Sequence, residues 1–439
     1  MKKQKKIPAL SINTRYSSIF QLALPAMVSG VIEPVISLID TAFVGKIGTQ
    51  AIASVGVGSS LFLLFVWIIG QGKSALSAIV SQHVGRSNLQ RILPFVFLAI
   101  CSLFILSALI AGLSYQTAPF LLGLYGITGD LLVSSTEYFQ IRVVGLPFTI
   151  YCILSFGFFR GIQNTRIAMY TSLIGGLVNV LLDYYLIVHH NYGVNGAAFA
   201  SFLSQLAMAL YISFQLRKYL LVHFKVSTYV RSQLAEFFRI TIQLFLRTAV
   251  LNAVYFYSNR KAALAGEAGL AAHTIGMNIW LFSSFLLDGY ANASNAIGGA
   301  LYGAKNGLAL IQLRNKIVVL GSGTGLVLGG LYYFGFPIWS DWFTQADDVL
   351  ASLLIILPFL AGIQVINGLA FGLDGFFKGF GHAKFLKNVL ILSTLFLFLP
   401  PMFLEPIPGI TTVWLSLNLW MLGRFLLPLW KFNSVIRSL

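Results

Sequence analysis

The chemistry open to this chain rests on a few polar residues that interrupt long apolar stretches. Asp and Glu together number 13 in 439 residues. Glu33 and Asp40 stand seven apart, two helical turns, and so share a face. Asn179 and Asp183 stand four apart and share a face that Gly175 continues one turn earlier. A carboxylate inside a membrane persists when it is paired, protonated or used. If these two faces meet, three carboxylates and an amide make an oxygen-rich cage. Such a cage suits a hard cation or a shared proton, because carboxylates in contact cannot all ionise. The alternative for Asp40 is a helix-end acid satisfied by Thr41 or a backbone amide. For Glu33 it is a polar residue at the kink of Pro34, whose ring frees backbone carbonyls.

A second group lies in the other half of the chain. Asp288, Asp374, Arg247 and Asn252 mark a substrate or second-lobe site, with ion pairing of the acids to Arg247 or Lys73 as the alternative. For Asp374, Lys378 one turn on offers a local pair. Glu137 and Arg142 read as a structural pair. The six histidines fall near span ends, only His189 and His190 being adjacent, so no metal ligation is expected. No Walker, His-Glu-x-x-His or Gly-x-Ser-x-Gly pattern occurs, which argues against an ATP-driven pump, an intramembrane enzyme and a bound cofactor.

The elements that must position these residues are membrane spans. Hydrophobic residues make up 57% of the chain and charged ones 10%, with a mean hydropathy of +0.82. A soluble surface needs more charge than that. Apolar stretches long enough for a hydrocarbon core of roughly 30 Å recur, and none alternates like a barrel strand. Twelve helical spans are expected at about 15–45, 51–84, 92–123, 131–159, 165–188, 194–221, 236–260, 268–301, 309–340, 347–377, 385–404 and 408–430. With both termini cytoplasmic, 23 of the 29 Lys and Arg fall inside, Arg424 among them. The formal charge of +16 is therefore topology, and nucleic acid is not expected as a partner. The basic start Met1–Lys6 reads as the flank of a retained first span, since no small-residue cleavage site follows. Cys101 and Cys152 sit in apolar segments and suggest no disulfide framework.

The chain repeats itself. Shifted by 218 residues, Gly48, Gly58, Ala75, Gly85 and Asn88 fall on Gly266, Gly276, Ala293, Gly303 and Asn306. The same shift lays Gly157-Phe-Phe-Arg-Gly161 on Gly375-Phe-Phe-Lys-Gly379. Six spans per copy return the chain to its starting side, so the expected axis between lobes runs along the membrane normal. The expected units are an N-terminal lobe over 1–223, a cytoplasmic linker over 224–235 and a C-terminal lobe over 236–439. Substrate would bind between lobes that rock against each other.

Pro25 followed by Asp40-Thr-Ala-Phe-Val-Gly45, Gly85-Arg-Ser-Asn88, Gly303-Ala-Lys-Asn306 and Arg160-Gly-Ile-Gln-Asn-Thr165 together resemble the MATE (multidrug and toxic compound extrusion) transporters. Asn179-Val-Leu-Leu-Asp183 is similar to their DinF branch. The resemblance spans nearly the whole chain and implies two six-helix lobes in a bacterial inner membrane. It implies drug efflux driven by a proton or sodium gradient, with lipophilic, often cationic, small molecules as cargo and a monomer as sufficient unit. It implies a cation site of Asp40, Asn179 and Asp183 with Ser201 as fourth member, where the family often has threonine. Another MATE branch places acids in the second lobe, including one in the seventh span, where this chain has Arg247 and Asn252. That departure favours coupling through the first lobe. Pro25 and Pro34 are expected hinges: protonation of Asp40 would let span one bend at Pro25 and collapse the first-lobe cavity. A flippase for lipid-linked oligosaccharides, from the same broad superfamily, is the rival reading, kept open by Lys73, Arg142 and Arg247.

Overall fold

The computed structural model describes residues 13–220, 227–405 and 409–439, and the backbone alone of Glu33 and Leu220. Among these residues eleven helices are long and apolar enough to cross a membrane. They are α1 (Tyr16–Gly45), α2 (Thr49–Gly85), α3 (Leu89–Gln116), α5 (Arg166–His189), α6 (Gly193–Tyr219), α7 (Thr228–Leu264), α8 (Glu267–Gly303), α9 (Gly307–Phe334), α10 (Asp347–Gly379), α11 (Ala383–Leu404) and α12 (Ile410–Arg437). The twelfth span, α4, is a bent pair, Gly129–Val144 and Leu146–Gly161, with a 46° break. The break falls at Gly145, and Pro147 in the first turn beyond it has no N–H to continue the ladder. A continuous span over 131–159 was expected. Its counterpart α10 lacks the Gly-Leu-Pro and runs unbroken. Large apolar side chains such as Leu109, Leu326 and Phe334 point outward, as a lipid-facing belt requires.

Several turns preserve the repeat as well as the helices do. Positive φ angles fall at Gly48 and Gly266, Ser87 and Lys305, Gln163 and Gly381, and Asn191 and Gly409. Each pair is 218 residues apart, so a positive φ recurs in register at four turns even where one copy carries a side chain there, while those at Gly126, Gly129, Gly193 and Glu405 have no counterpart. The spans α3 and α9 stop at Gln116 and Phe334, short of the expected 123 and 340. Short helices Ala118–Gly123 and Phe336–Phe343 follow, and each has proline in its first turn. The helix α7 starts at Thr228, capped by the Ser227 hydroxyl accepting from the Val230 amide at 3.3 Å. Residues 228–235 of the expected linker are therefore helical. The linker's first residues, with Lys225, and the basic residues up to Lys6 lie outside the described residues. Arg424, expected at the cytoplasmic face, is buried midway along α12.

The lobes meet along a pseudo-two-fold axis that can be located from residues and their own repeat images. The Ser77 hydroxyl on α2 donates to Asn295 Oδ1 on α8 at 2.6 Å, and the two are 218 apart. Ser81 packs on Gly299, its own image, where a Cβ would come within 2.1 Å of the hydroxyl. A Cβ on Gly85 would sit 1.8 Å from the Ala300 carbonyl oxygen, and one on Gly303 would sit 2.1 Å from that of Gln82. These last two are one contact seen from either side, as an isologous interface demands. Within each lobe the motif glycines repeat their role. Gly157 abuts the Lys73 backbone as Gly375 abuts that of Ala291, and Gly161 and Gly379 approach Ser77 and Asn295 in turn. Small residues let helices close where lipid supplies no hydrophobic drive. The C-terminal lobe goes further: Gly321, Gly325 and Gly329 of α9 each meet the α10 backbone.

All of these axial contacts lie toward one end of the bundle, the end holding Gly85, Gly161, Gly303 and Gly379. This basic end also receives Lys316 Nζ, which donates to the Thr14 carbonyl of the other lobe at 2.9 Å. His83 is hydrogen-bonded to the Tyr229 hydroxyl there, with the Arg91 guanidinium 4.1 Å over the Tyr229 ring. Two clefts of about 390 and 340 Å³ open at this end. Ser18, Leu22 and Ile297 line the first, and their repeat images Glu236, Ile240 and Ile79 line the second. They are grooves beside the axis and lie away from the acids of α1 and α5.

Candidate polar sites in the two lobes

Helices α1 and α5 run parallel, and their seam keeps one register. The Thr165 hydroxyl donates to the Leu22 carbonyl at 2.9 Å, and Ser29 and Ser172 share a hydroxyl–hydroxyl bond at 2.9 Å. Both pairs are 143 residues apart. Between them and the outer end, Gly176 admits Ile36, where a Cβ would meet the Ile36 side chain at 2.6 Å. Carried eleven residues on from Ser29 and Ser172, about three turns, the register reaches Asp40 and Asp183. Their carboxyl groups lie within hydrogen-bonding reach of each other. Gly175 opens the other side of α5 to Met208 of α6. Asp183 ends the α-helical part of α5, and a π-helical turn, Tyr184–His189, follows at once. Such turns recur at functional sites.

This cluster lacks donors. Asp183 is fully buried and Asn179 nearly so, yet both Asp183 oxygens, Asp40 Oδ1 and Asn179 Oδ1 have no hydrogen-bond donor among the described residues. Ionised carboxylates only accept, so two in contact repel each other. One proton converts the contact into an O–H···O bond; a bound cation would neutralise it instead. The Thr41 hydroxyl donates to the Ser37 carbonyl at 2.8 Å, so it does not serve Asp40. Ser201 is buried on α6, and among the described residues no hydrogen bond joins it to Asp40, Asn179 or Asp183. The side chain of Glu33 lies outside the described residues.

Arg142 is the member that sequence reasoning assigned elsewhere. The expected Glu137–Arg142 pair is absent among the described residues, because a spacing of five sets the two side chains roughly 140° apart around a helix. Glu137 instead accepts from Asn195 at 3.1 Å. Arg142 lies 4.2 Å over the Phe62 ring, within Coulombic range of both Asp40 and Asp183. Its Nε and one Nη find no acceptor among the described residues. The signal was present: a span arginine with no acid three or four residues away.

The second lobe is built the opposite way. Arg247 donates to Asp374 Oδ1 at 2.7 Å while Lys378 meets Oδ2 at 2.7 Å. The local pair and the pair across helices are therefore both formed. Arg424 lies in Coulombic range of Asp374 and Arg247. Its guanidinium sits 4.8 Å over Trp420 and 5.9 Å from the Phe371 ring centre, with a weak contact to the Met421 sulfur at 3.1 Å. Asp288 does not pair with Arg247, which Asp374 occupies; it accepts from Asn292 at 3.2 Å and lies in Coulombic range of buried Arg160 across the lobe boundary. Asn252 is turned onto its own helix, donating to the Thr248 carbonyl at 3.0 Å. It takes no part in the cluster. Among the described residues no group of three or more His, Cys, Asp and Glu is placed to hold a metal ion.

Pro25 and Pro34 both lie inside α1, which is helical through them. One face of α1 makes the seam with α5. Another packs on α8, where Gly30 meets Phe285 and Met27 fills the gap at Gly289. A single helix thus carries Asp40 and forms part of the lobe interface.

Comparison with known proteins places this architecture. The family model described as MatE matches residues 25–185 and again 244–404, once in each half. Protein DETOXIFICATION 44, chloroplastic, of Arabidopsis thaliana is 27% identical over 440 residues, covering 95% of this chain and 82% of that protein. DNA damage-inducible protein F of Escherichia coli (strain K12) is 23% identical over 431 residues, covering 94% and 92%. A solved structure described as the outward-facing conformation of a multidrug resistance MATE family transporter has the same fold, with a TM-score of 0.86 at 19% identity over 96% of both chains. The chain belongs to the MATE family of multidrug and toxic compound efflux transporters.

Proposed function

We propose that this protein is a cation-coupled antiporter of a bacterial inner membrane, both termini cytoplasmic, that exports lipophilic, often cationic, small molecules by alternating access. The observation that carries the reading is the donorless contact of Asp40 with Asp183 on a helix that also forms the lobe interface. The basic end faces the cytoplasm by the positive-inside rule. Closure at Gly85 and Gly303 then shuts the path on the cytoplasmic side. One chain holds both lobes, so a monomer suffices.

A proton arriving from outside is shared by Asp40 and Asp183 and removes the repulsion between them. That changes the α1–α5 seam, and α1 passes the change to α8. Pro25 and Pro34 are where α1 bends, because their missing N–H groups leave the Gln21 and Gly30 carbonyls without helical donors. Replacing Pro25 with Ala is expected to block export while leaving substrate binding largely intact; unimpaired export would remove the bending step. Sodium is the second reading, favoured by the four unpartnered oxygens of Asp40, Asn179 and Asp183 as a hard-cation donor set.

The test is efflux of a fluorescent lipophilic cation from vesicles carrying wild type or Asp40→Asn, under separately imposed pH and sodium gradients. Export driven by one gradient and reduced to background in Asp40→Asn is expected, and the effective gradient names the ion. No export under either gradient would overturn the antiporter reading in favour of the lipid-linked oligosaccharide flippase.

A further inference from the structure

The charges buried in the C-terminal lobe do not balance. Arg247, Lys378 and Arg424 bring three positive charges to the single carboxylate of Asp374. Among the described residues no other acid comes within ion-pair distance of any of the three. Arg247 and Lys378 are each held by one Asp374 oxygen, which leaves Arg424 without a carboxylate. Its residue exposure is 7%, and its only polar partner among the described residues is the Met421 sulfur. A guanidinium so desolvated is unfavourable unless an anion meets it. The Trp420 ring at 4.8 Å offsets part of that cost, and with Nη1 turned to the Met421 sulfur the Nε and Nη2 donors of the other edge have no acceptor among the described residues. Such an edge matches a carboxylate or phosphate bidentately, and the aromatic rings beside it suit a lipophilic body. The N-terminal lobe carries the reverse excess, two carboxylates beside the one cation of Arg142.

We infer that the C-terminal lobe holds an anion-binding site, in which Arg424, backed by Arg247 and Lys378, receives the acid group of an amphipathic organic anion. The inference rests on the export reading and extends its cargo: compounds bearing a carboxylate or phosphate on an aromatic or aliphatic body are bound in this lobe, whatever cation they also carry. Asp374 is the positioning residue that fixes Arg247 and Lys378. The anionic headgroup of a membrane lipid has the same chemistry as a free organic acid, and the test separates the two.

Trp420 lies beside Arg424, and the Arg424 variants separate its quenching from that of the other six tryptophans. Purified protein in neutral detergent is titrated with 4-nitrobenzoate and with its neutral isostere 4-nitrobenzamide, following tryptophan quenching. The carboxylate is expected to bind roughly tenfold or more tighter than the amide, the scale of a charge-assisted hydrogen bond. Arg424→Gln is expected to erase that preference, and Arg424→Lys to keep part of it. Leu326→Ala, on the lipid-facing surface of the same lobe, is expected to keep all of it. Repeating the titration in phosphatidylglycerol and phosphatidylcholine nanodiscs identifies the source: competition by phosphatidylglycerol alone marks a lipid headgroup, and its absence marks a free acid. Equal binding of acid and amide by wild type would overturn the inference without recourse to any variant. So would an undiminished preference in Arg424→Gln. Because no gradient is involved, loss of cation export with the preference intact would fell the antiporter reading and leave this site standing.

Discussion

In the N-terminal lobe two acids meet each other, whereas in the C-terminal lobe one acid is gripped by cations. The lobes descend from one repeated pattern, yet the acids do not repeat: Asp40 and Asp183 fall on Ser258 and Pro401, and Arg247 and Asp374 on Ser29 and Phe156, while Lys378 falls on Arg160, outside the N-terminal cluster. The clusters also differ in depth. Asp40 and Asp183 lie five and six residues from the outer ends of α1 and α5, while Asp374 lies five residues from the basic end of α10. What the repeat conserves is backbone: turns, glycine contacts and the axis. What it frees is the polar interior, so one lobe carries an excess of acid and the other an excess of buried cation. A carboxylate without donors is poised to bind something; one saturated by two cations is a fixed part of the framework.

Removing Asp374 is the most damaging break in this contrast. Asp374→Ala strands Arg247 and Lys378 and is expected to cost about 3–5 kcal/mol, the scale of a broken buried pair. Asp183→Asn relieves repulsion and supplies a donor, so unfolding of the purified protein is expected to show it within about 1 kcal/mol of wild type or more stable. Equal destabilisation by the two would erase the distinction between the lobes.

Next in size are changes on the axis, where the lobes are alike. Gly85→Ala and Gly303→Ala each drive a methyl into the facing backbone and are expected to cost about 1–3 kcal/mol. They also push the closed end apart, so a cysteine placed at Ser81, fully buried on the axis, gains reactivity toward a thiol reagent added to the basic side. Gly330→Ala, with nothing within 4 Å of the added carbon, is the control and is expected to be neutral or slightly stabilising. Smallest of the destabilising changes is Ser77→Ala, about 0.5–1.5 kcal/mol for the lost Ser77–Asn295 hydrogen bond. Exchanging the two residues, Ser77→Asn with Asn295→Ser, is expected to recover most of that loss, because the axis relates their sites. Failure to recover would weaken the symmetry argument.

Much of this was legible in the sequence, and the reasons differ by region. The 218-residue register was readable because turns and helix contacts constrain glycine individually, as Gly85 and Gly303 show. Asp40 and Asp183 were readable because a carboxylate in an apolar span has few innocent explanations. That Asp40 meets Asp183 was not readable, since it depends on the α1–α5 register set by Ser29, Ser172 and Gly176. The break in α4 was signalled by Gly145-Leu-Pro147, but a single Pro does not say how far a helix turns. Arg424 was misplaced because basic residues near span ends sort by topology, and only packing against Trp420 and Phe371 draws this one inside.

The central claim is that one exchangeable cation, held between Asp40 and Asp183, couples the N-terminal lobe to transport. It is tested most directly by counting protons released when a lipophilic cation is added to purified protein in weakly buffered, sodium-free detergent solution. The account predicts about one proton per wild-type protein for a proton-coupled site and none from Asp40→Asn or Asp183→Asn. With sodium present and no proton released, it predicts displacement of one sodium ion instead, lost in the same variants. Release that persists in both variants, or the absence of any displaced cation in wild type, would contradict it.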